Sequence, residues 1–234
     1  MTPILLTTGQ ILSAHARLRP TEIGARDMER SLSYQEWNAR ACRLANALIG
    51  LGLAKGDRVA VLAYNRLEWA EIYTATAKAG LIPVPINFRL TGTEAAFIIN
   101  DSGAAAVIVE DALLPTLDAA RADIHIPEDR FILIGGTPRA GYRGYEDLLS
   151  AASDTEPKAM VLPDDPWCLM YTSGTTGNPK GAIRSHRGMA MLALMTDIEF
   201  HLHRQDDALL VMPMCHANSL NFFTAFLYCG GRIT

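Results

Sequence analysis

The chain has 234 residues, of which 49% are hydrophobic and 20% are charged, a composition typical of a globular protein with a sizeable core. Its 21 basic and 25 acidic residues give a net charge of −4, without the long basic run that marks a nucleic-acid partner. The amino terminus lacks the basic region of a secretory signal, and the most apolar segment, residues 188–200, contains Asp197 and Glu199. We expect a cytoplasmic protein with no integral membrane segment.

Helix and strand patterns alternate through the first half of the chain. Ser33 and Glu36 form a capping-box pattern that predicts a helix start, and Gly50 ends its apolar face. Thr91 and Glu94 repeat the pattern. Further helices are predicted over residues 10–17, 68–79, 113–122 and 145–152, and strands over 58–63, 81–86, 105–110 and 131–136.

Strands separated by helices require crossover connections, so the predicted fold class is α/β with a mostly parallel sheet covered by helices on both faces. Pro83 and Pro85 indicate an edge position or an early end for the second strand. Residues 135–166 are rich in Gly, Pro and charge, which indicates a boundary between a first α/β lobe, 1–165, and the start of a second lobe, 166–234. The final residues GGRIT have the pattern of a strand beginning, so we expect a truncated fragment.

Cysteine and histidine spacings give no sign of a metal site or a disulfide framework. His201 and His203 have no partner at metal spacing and are predicted at the surface. The four cysteines form no CxxC pair, which favours small buried residues with reduced thiols: Cys42, Cys168, Cys215 and Cys229.

The segment TSGTTGNPKG, residues 172–181, lies between two short apolar strand patterns, WCLMY and GAIR. Glycines allow close approach of the backbone to an anion, hydroxyls donate hydrogen bonds, and Lys180 supplies a positive charge, so the composition favours a phosphate-binding loop. A polar turn between strands is the alternative. The segment is not a Walker loop, because Pro179 stands where that pattern needs a glycine, and no GxGxxG is present.

The residues 171–181, YTSGTTGNPKG, carry every defining position of the [ST]SG[ST]TGxPKG pattern and resemble the phosphate loop of the ANL superfamily of adenylate-forming enzymes. That superfamily contains acyl-CoA synthetases, nonribosomal peptide adenylation domains and firefly-type luciferases. Residues 31–65 and 81–109 resemble its early core elements. The resemblance therefore extends over essentially the whole chain and implies the first lobe and the start of the second lobe of an acyl-CoA synthetase N-terminal domain.

The resemblance implies that a substrate carboxylate attacks the α-phosphorus of ATP and that CoA then displaces AMP from the acyl-adenylate. Residues 211–223 resemble the next family motif, which places His216 at the junction of the acyl and CoA channels. Cys215, Asn218 and Ser219 depart from that motif. His216 and Lys180 are the catalytic candidates, and the residues predicted to bind phosphate are Thr172, Ser173, Gly174, Thr175, Thr176, Gly177 and Lys180.

ATP, a small carboxylic acid and CoA are the implied partners, with Mg²⁺ as an implied cofactor. The resemblance places the magnesium-binding Glu, the ribose-binding Asp and the catalytic Lys of the family beyond Thr234, so no metal ligand is assigned and we expect the fragment alone to be inactive. An amino-acid adenylation domain and a non-catalytic nucleotide-binding fragment remain alternatives. A Rossmann redox or methyl-transfer domain shares the alternation but needs a glycine-rich turn after its first strand, which this sequence lacks.

Overall fold

The computed structural model describes residues 6–172 and 179–234. The helices in these ranges are α1 (Thr8–Leu18), α2 (Tyr34–Gly50), α3 (Glu68–Ala79), α4 (Gly92–Asp101), α5 (Leu114–Asp118), α6 (Tyr145–Ala151), α7 (His186–Phe200) and α8 (Ala217–Cys229). The strands are β1 (Ile23–Arg26), β2 (Ser31–Ser33), β3 (Arg58–Leu62), β4 (Ile82–Pro85), β5 (Ala104–Glu110), β6 (Phe131–Ile134), β7 (Arg143–Gly144), β8 (Pro166–Thr172), β9 (Lys180–Ser185), β10 (Asp207–Ala208) and β11 (Arg232–Ile233).

A five-stranded sheet in the order β4-β3-β5-β6-β7 is parallel throughout. Its central strands β3 and β5 are mostly buried, as expected for a parallel sheet covered on both faces. Strand β4 lies at one edge of this sheet. Its two prolines have no N–H to donate, and an edge strand tolerates this because one of its sides pairs with no strand of the sheet. The predicted α/β class, the mostly parallel sheet and the edge position are confirmed.

A second sheet has the order β10-β11-β1-β2 and combines the two ends of the chain. Strand β11 is parallel to both β1 and β10, whereas β1 and β2 are antiparallel. The sequence analysis missed β1 and β2, because strands of four and three residues are too short for a hydrophobic period to show. The strand predicted in GGRIT corresponds to β11. The lobe boundary at residue 165 stays a prediction, since this sheet draws on residues from both sides of it.

The helix starts follow the predicted capping chemistry. The backbone N–H of Ser33 donates to the Glu36 carboxylate at 2.8 Å, and the Glu36 N–H donates to the Ser33 hydroxyl at 3.3 Å. Thr91 and Glu94 make the same reciprocal pair at the start of α4. Helix α3 ends at Gly80, whose φ of +68° lies in the left-handed region that glycine adopts without steric cost.

The helix predicted over residues 113–122 is wrong in its length. The α-helix covers Leu114–Asp118 and is flanked by 3₁₀ turns at Asp111–Leu113 and Arg121–Asp123. The start of α4 packs tightly against α5: a Cβ at Gly92 would lie 2.5 Å from the Thr116 carbonyl oxygen. This tertiary contact, which local pattern does not encode, accompanies the early end of α5.

The largest hydrophobic cluster joins the two sheets and surrounds α3. Tyr73 is fully buried, and its ring centroid lies 5.4 Å from that of Phe223 in α8 and 6.0 Å from that of Trp167 in β8. The ring of Trp37 in α2 lies 6.1 Å from that of Phe223, and its indole N–H donates to the Ala70 carbonyl oxygen in α3 at 3.0 Å. Helix α3 therefore packs against both segments that the sequence analysis selects for chemistry. No helix in the described part of the chain has the combination of length and apolar character needed to cross a membrane.

Candidate nucleotide and thiol site

Strands β8 and β9 form an antiparallel hairpin that carries the predicted phosphate loop at its tip. Thr172 and Lys180 are cross-strand partners at the base of the loop, and the Thr172 hydroxyl donates to the Lys180 carbonyl oxygen at 3.5 Å. The structure therefore brings together the first and last predicted phosphate-binding residues. The predicted residues between them lie outside the described residues: Ser173, Gly174, Thr175, Thr176 and Gly177.

Lys180 opens β9 and is exposed. It makes no ion pair with any residue in the ranges 6–172 and 179–234. An ammonium group without an internal partner is able to bind an external anion, and its flexible stem lets it follow a moving charge. The geometry of Lys180 is compatible with a phosphate ligand.

Two residues of β8 anchor the hairpin to helices α3 and α4. The Trp167 indole N–H donates to the Tyr73 carbonyl oxygen at 3.3 Å, and the Tyr171 hydroxyl donates to the Asp101 carboxylate at 2.6 Å. Burial, reinforced by Asp101, raises the pKa of the Tyr171 hydroxyl, so it remains a donor at neutral pH. By contrast, the first four residues of β9 are exposed. Strand β8 fixes the hairpin and β9 faces solvent.

His186 begins α7 directly after the hairpin and is 1% exposed. Its ring lies 5.9 Å from that of Trp167 in a stacked arrangement, and neither ring nitrogen has a hydrogen-bond partner among the described residues. Burial lowers the pKa of His186 to about 4, against the opposing influence of the nearby Asp165 carboxylate. The neutral ring is therefore part of the apolar packing under β8.

His216 is exposed and is the N-cap residue of α8, a helix that the sequence analysis did not predict. Its Nδ1 accepts the backbone N–H of Asn218 at 3.3 Å. A nitrogen that accepts a hydrogen bond carries no proton, so the neutral imidazole has its proton on Nε2. The helix cap thus leaves an Nε2–H donor free for a ligand.

The chain leading to His216 lies at the carboxyl ends of two parallel strands. Asn65, which follows β3, hydrogen-bonds to the backbone of residues 210–214, and the Cys215 thiol contacts the backbone of Phe88, which follows β4. In α/β sheets, ligand sites form outside the carboxyl ends of the strands. The position of His216 therefore agrees with the predicted role at a channel junction, and that role stays a prediction.

Tyr73 connects the β8–β9 hairpin with Met214, two residues before His216. Its carbonyl oxygen accepts from Trp167, and its hydroxyl donates to the Met214 carbonyl oxygen at 2.7 Å. No hydrogen bond or ion pair between described residues joins residues 166–172 or 179–185 directly to residues 210–216. The structure therefore does not bring Thr172 or Lys180 into contact with His216.

Sequence reasoning missed Asn65 and Tyr73, because each acts on residues more than 90 positions away along the chain. Asn65 lies two residues after the predicted strand 58–63, and a polar side chain just beyond a strand's carboxyl end was the available signal. All four cysteines are free thiols. The described residues contain no group of three or more His, Cys, Asp or Glu side chains that is able to hold a metal ion.

The profile of the AMP-binding enzyme family matches residues 12–234. A long-chain-fatty-acid–CoA ligase of Mycobacterium tuberculosis, FadD13, is 40% identical over 189 residues, which cover 81% of this chain and 36% of the relative. A fatty acid–[acyl-carrier-protein] ligase of Streptomyces coeruleorubidus, ScoC, is 36% identical over 79% of this chain and 34% of its own length. The chain thus spans about a third of the length of these curated relatives.

Among solved structures, the anthranilate CoA ligase AuaEII in complex with anthranoyl-AMP superposes with a TM-score of 0.91 and 26% identity. The superposition covers 99% of this chain and 45% of the ligase. The described fold is therefore that of the N-terminal region of this similar protein.

Proposed function

Because the chain belongs to the AMP-binding enzyme family, we propose that it is the amino-terminal part of an ATP-dependent acid–CoA ligase. The proposed enzyme activates a carboxylic acid as an acyl-adenylate, with release of pyrophosphate, and then transfers the acyl group to the thiol of CoA. The observation that carries the proposal is the motif YTSGTTGNPKG at the tip of the β8–β9 hairpin, with Thr172 and Lys180 paired at its base.

In the first step, a carboxylate oxygen of the acid attacks the α-phosphorus of ATP, and the bond to the bridging oxygen of pyrophosphate breaks. The loop residues bind the departing pyrophosphate with backbone N–H groups and hydroxyls, and the Lys180 ammonium neutralises its developing charge. Such a reaction needs donors held in place more than it needs an acid or base, because the charge is spread over several phosphate oxygens.

In the second step, the thiol sulfur attacks the acyl carbon and AMP leaves. His216 contributes at the junction through which the acyl group and the thiol approach, and its Nε2–H is free to donate because Nδ1 is held by the Asn218 amide. The position is suited to orienting the acyl carbonyl or the thiol.

Mg²⁺ neutralises phosphate charge when it binds with ATP. The described residues offer no cluster of carboxylates for it, and the family segment YGxTE with its magnesium-binding Glu does not occur in this sequence. We assign no residue of this chain to the metal and propose that its ligand belongs to the part of the relatives that this chain does not cover. The free thiols of all four cysteines fit a cytoplasmic location, as the sequence analysis proposed.

The acid is proposed to be a fatty or aryl acid, on the names of the similar ligases. A second candidate differs in the thiol acceptor: one relative carries an acyl-carrier protein in its name, and the phosphate loop alone does not distinguish the two acceptors. His216 and its motif favour the CoA ligase.

The proposal is tested with the complete product of the gene. Exchange of labelled pyrophosphate into ATP is measured with a panel of fatty and aryl acids, followed by thioester formation with CoA and, separately, with a carrier protein. We expect exchange that depends on the acid, and thioester formation that depends on CoA.

The 234-residue chain alone is the matched control and is expected to show no exchange, because the implied ribose, magnesium and catalytic-lysine positions are not in its sequence. A complete product that supports no acid-dependent exchange would overturn the proposal. Exchange by the short chain would overturn the expectation that it is incomplete.

A further inference from the structure

Residues 210–214, which we term the 210–214 segment, lie between β10 and α8 and have no regular secondary structure. The side chain of Asn65 makes three hydrogen bonds to their backbone. Its amide N–H groups donate to the carbonyl oxygens of Leu210 at 3.0 Å and Met212 at 2.8 Å, and its Oδ1 accepts the N–H of Met214 at 2.7 Å. One side chain thus fixes three alternate residues of the segment.

Two further hydroxyls bind the same backbone. The buried Tyr73 hydroxyl donates to the Met214 carbonyl oxygen at 2.7 Å, and the Ser219 hydroxyl in α8 donates to the Met212 carbonyl oxygen at 2.7 Å. Met214 itself is 5% exposed, so its N–H has no ready access to water. Without Asn65 this buried N–H loses its partner, and the segment has to move to find another.

The 210–214 segment ends two residues before His216. A turn follows in which the His216 N–H donates to the Pro213 carbonyl oxygen at 2.9 Å, and the ring is then held by the Asn218 amide. Asn65 itself lies three residues after the end of β3, beyond the carboxyl end of this strand of the parallel sheet. The path from the sheet to the His216 ring therefore runs through the Asn65 amide and the short segment that it binds.

We propose that Asn65 is a positioning residue for the thioester-forming step: it fixes the 210–214 segment and thereby the place and orientation of His216. The inference rests on the proposed function. Asn65 is exposed beside the segment and does not belong to the phosphate loop, so its loss is expected to affect the thiol step and to leave adenylate formation close to that of the wild type.

The variants Asn65→Ala and Asn65→Asp distinguish the two hydrogen bonds that Asn65 donates from the one that it accepts. Alanine removes all three hydrogen bonds. Aspartate keeps an acceptor for the Met214 N–H but places a carboxylate against two carbonyl oxygens. The Leu210 oxygen then loses its side-chain donor, and the Met212 oxygen keeps only the Ser219 hydroxyl. We expect the aspartate variant to keep part of the protection of the Met214 amide against hydrogen exchange and to lose the fixed position of the rest of the 210–214 segment.

Asn46→Ala is the matched control. The Asn46 amide also donates to two backbone carbonyl oxygens of a distant segment, those of Ser153 at 2.8 Å and Thr155 at 2.9 Å. Its partners lie in the connection before β8, and no described hydrogen bond links them to the 210–214 segment. Asn46→Ala therefore removes two hydrogen bonds of the same kind at a place that is not linked to His216, and it reports the effect of such a loss on stability alone.

Two measurements test the inference in the complete protein. Hydrogen–deuterium exchange follows the backbone amides of residues 210–218, and single-turnover kinetics compare pyrophosphate release with thioester formation from preformed acyl-adenylate. For Asn65→Ala we expect faster exchange of these amides and thioester formation slowed by on the order of tenfold, less than the roughly hundredfold that a displacement of about 1 Å costs. Asn46→Ala is expected to change neither measurement.

The inference is overturned if Asn65→Ala leaves the exchange of residues 210–218 unchanged, or if exchange accelerates while the thioester step keeps its wild-type rate. It is also overturned if Asn46→Ala slows the thioester step equally. Failure of the proposed function is distinguishable, because it appears in the wild type as the absence of any acid-dependent adenylate, whereas failure of this inference appears in the variants of an active enzyme.

Discussion

The hairpin that carries the phosphate loop and the 210–214 segment that leads to His216 are held by different means. Strands β8 and β9 pair with one another within twenty residues, and much of β9 faces solvent. In the 210–214 segment the Leu210 N–H donates to the Thr234 carbonyl oxygen, and the residues that follow are bound by side chains from distant parts of the chain, Asn65 and Tyr73. A motif made of neighbouring residues can therefore be recognised in the sequence, whereas a position that depends on distant side chains cannot.

The two regions also differ in the chemistry that we propose for them. The hairpin presents the Lys180 ammonium, which makes no ion pair with residues 6–172 or 179–234. The chain just after the 210–214 segment presents the His216 imidazole, whose Nδ1 caps α8. If the division is correct, variants in one region affect adenylate formation and variants in the other affect the thiol step.

The largest effect is expected at the loop. In the complete enzyme, Lys180→Ala removes a donor to the departing pyrophosphate, which costs on the order of 3 kcal/mol, or about a hundredfold in the rate of adenylate formation. Thr176→Ala is expected to act in the same direction. Pyrophosphate release in a single turnover measures the effect, and Lys158→Ala, at an exposed lysine of the connection before β8, is the control. Equal rates for Lys180→Ala and the control would contradict the assignment.

The packing under β8 is expected to make the hairpin sensitive to acid. The pKa of His186 is lowered to about 4 by burial, so between the usual His value near 6.5 and pH 4 the unfolded chain binds a proton that the folded chain does not. The contribution of His186 to the free energy of unfolding is therefore present at neutral pH and is lost as the pH falls below about 6.5. At pH 5 the loss is about 2 kcal/mol.

His186→Phe keeps an aromatic ring against Trp167 and removes the titration. Urea unfolding at a series of pH values is expected to show a smaller loss of stability between pH 7 and pH 5 for this variant than for the wild type. Identical pH profiles would mean that the His186 ring is not buried as a neutral group in solution.

At His216 we expect a smaller effect on stability and a selective effect on rate. His216→Ala removes both the ring and the cap of α8, at about 1 kcal/mol of stability. His216→Asn removes the ring but restores a good capping side chain. Both variants are expected to slow thioester formation while adenylate formation continues, and thermal melting is expected to separate them. Loss of adenylate formation with normal thioester formation would require the role of His216 to be withdrawn.

The smallest effect is expected at the outer anchor of the hairpin. Tyr171→Phe removes the hydrogen bond to Asp101, which is partly exposed to solvent and contributes about 0.5 kcal/mol, the low end for such bonds. Tyr64→Phe is the control, because the Tyr64 hydroxyl has no hydrogen-bond partner among the residues of the described ranges. A loss of several kcal/mol by Tyr171→Phe in urea unfolding would show that the hairpin depends on this anchor.

Much of the architecture follows from periodic patterns. The capping boxes at Ser33 and Thr91 form as predicted, and the parallel order of the five-stranded sheet agrees with the predicted alternation of strand and helix. Two helices departed from the pattern for different reasons. Helix α5 is shorter than predicted where Gly92 packs against it, a tertiary contact. Helix α8 was missed because its cap is a histidine, which is not a preferred capping residue.

The α/β class, the hairpin motif and the identity of the candidate residues could be predicted from the sequence, because helix caps, strand patterns and a glycine-rich loop are made by residues close together in the chain. The packing of distant elements establishes that Tyr73 joins the hairpin to Met214 and that Asn65 binds the 210–214 segment. Those features are hydrogen bonds whose partners become neighbours when the sheets and helices pack, and local spacing does not record them.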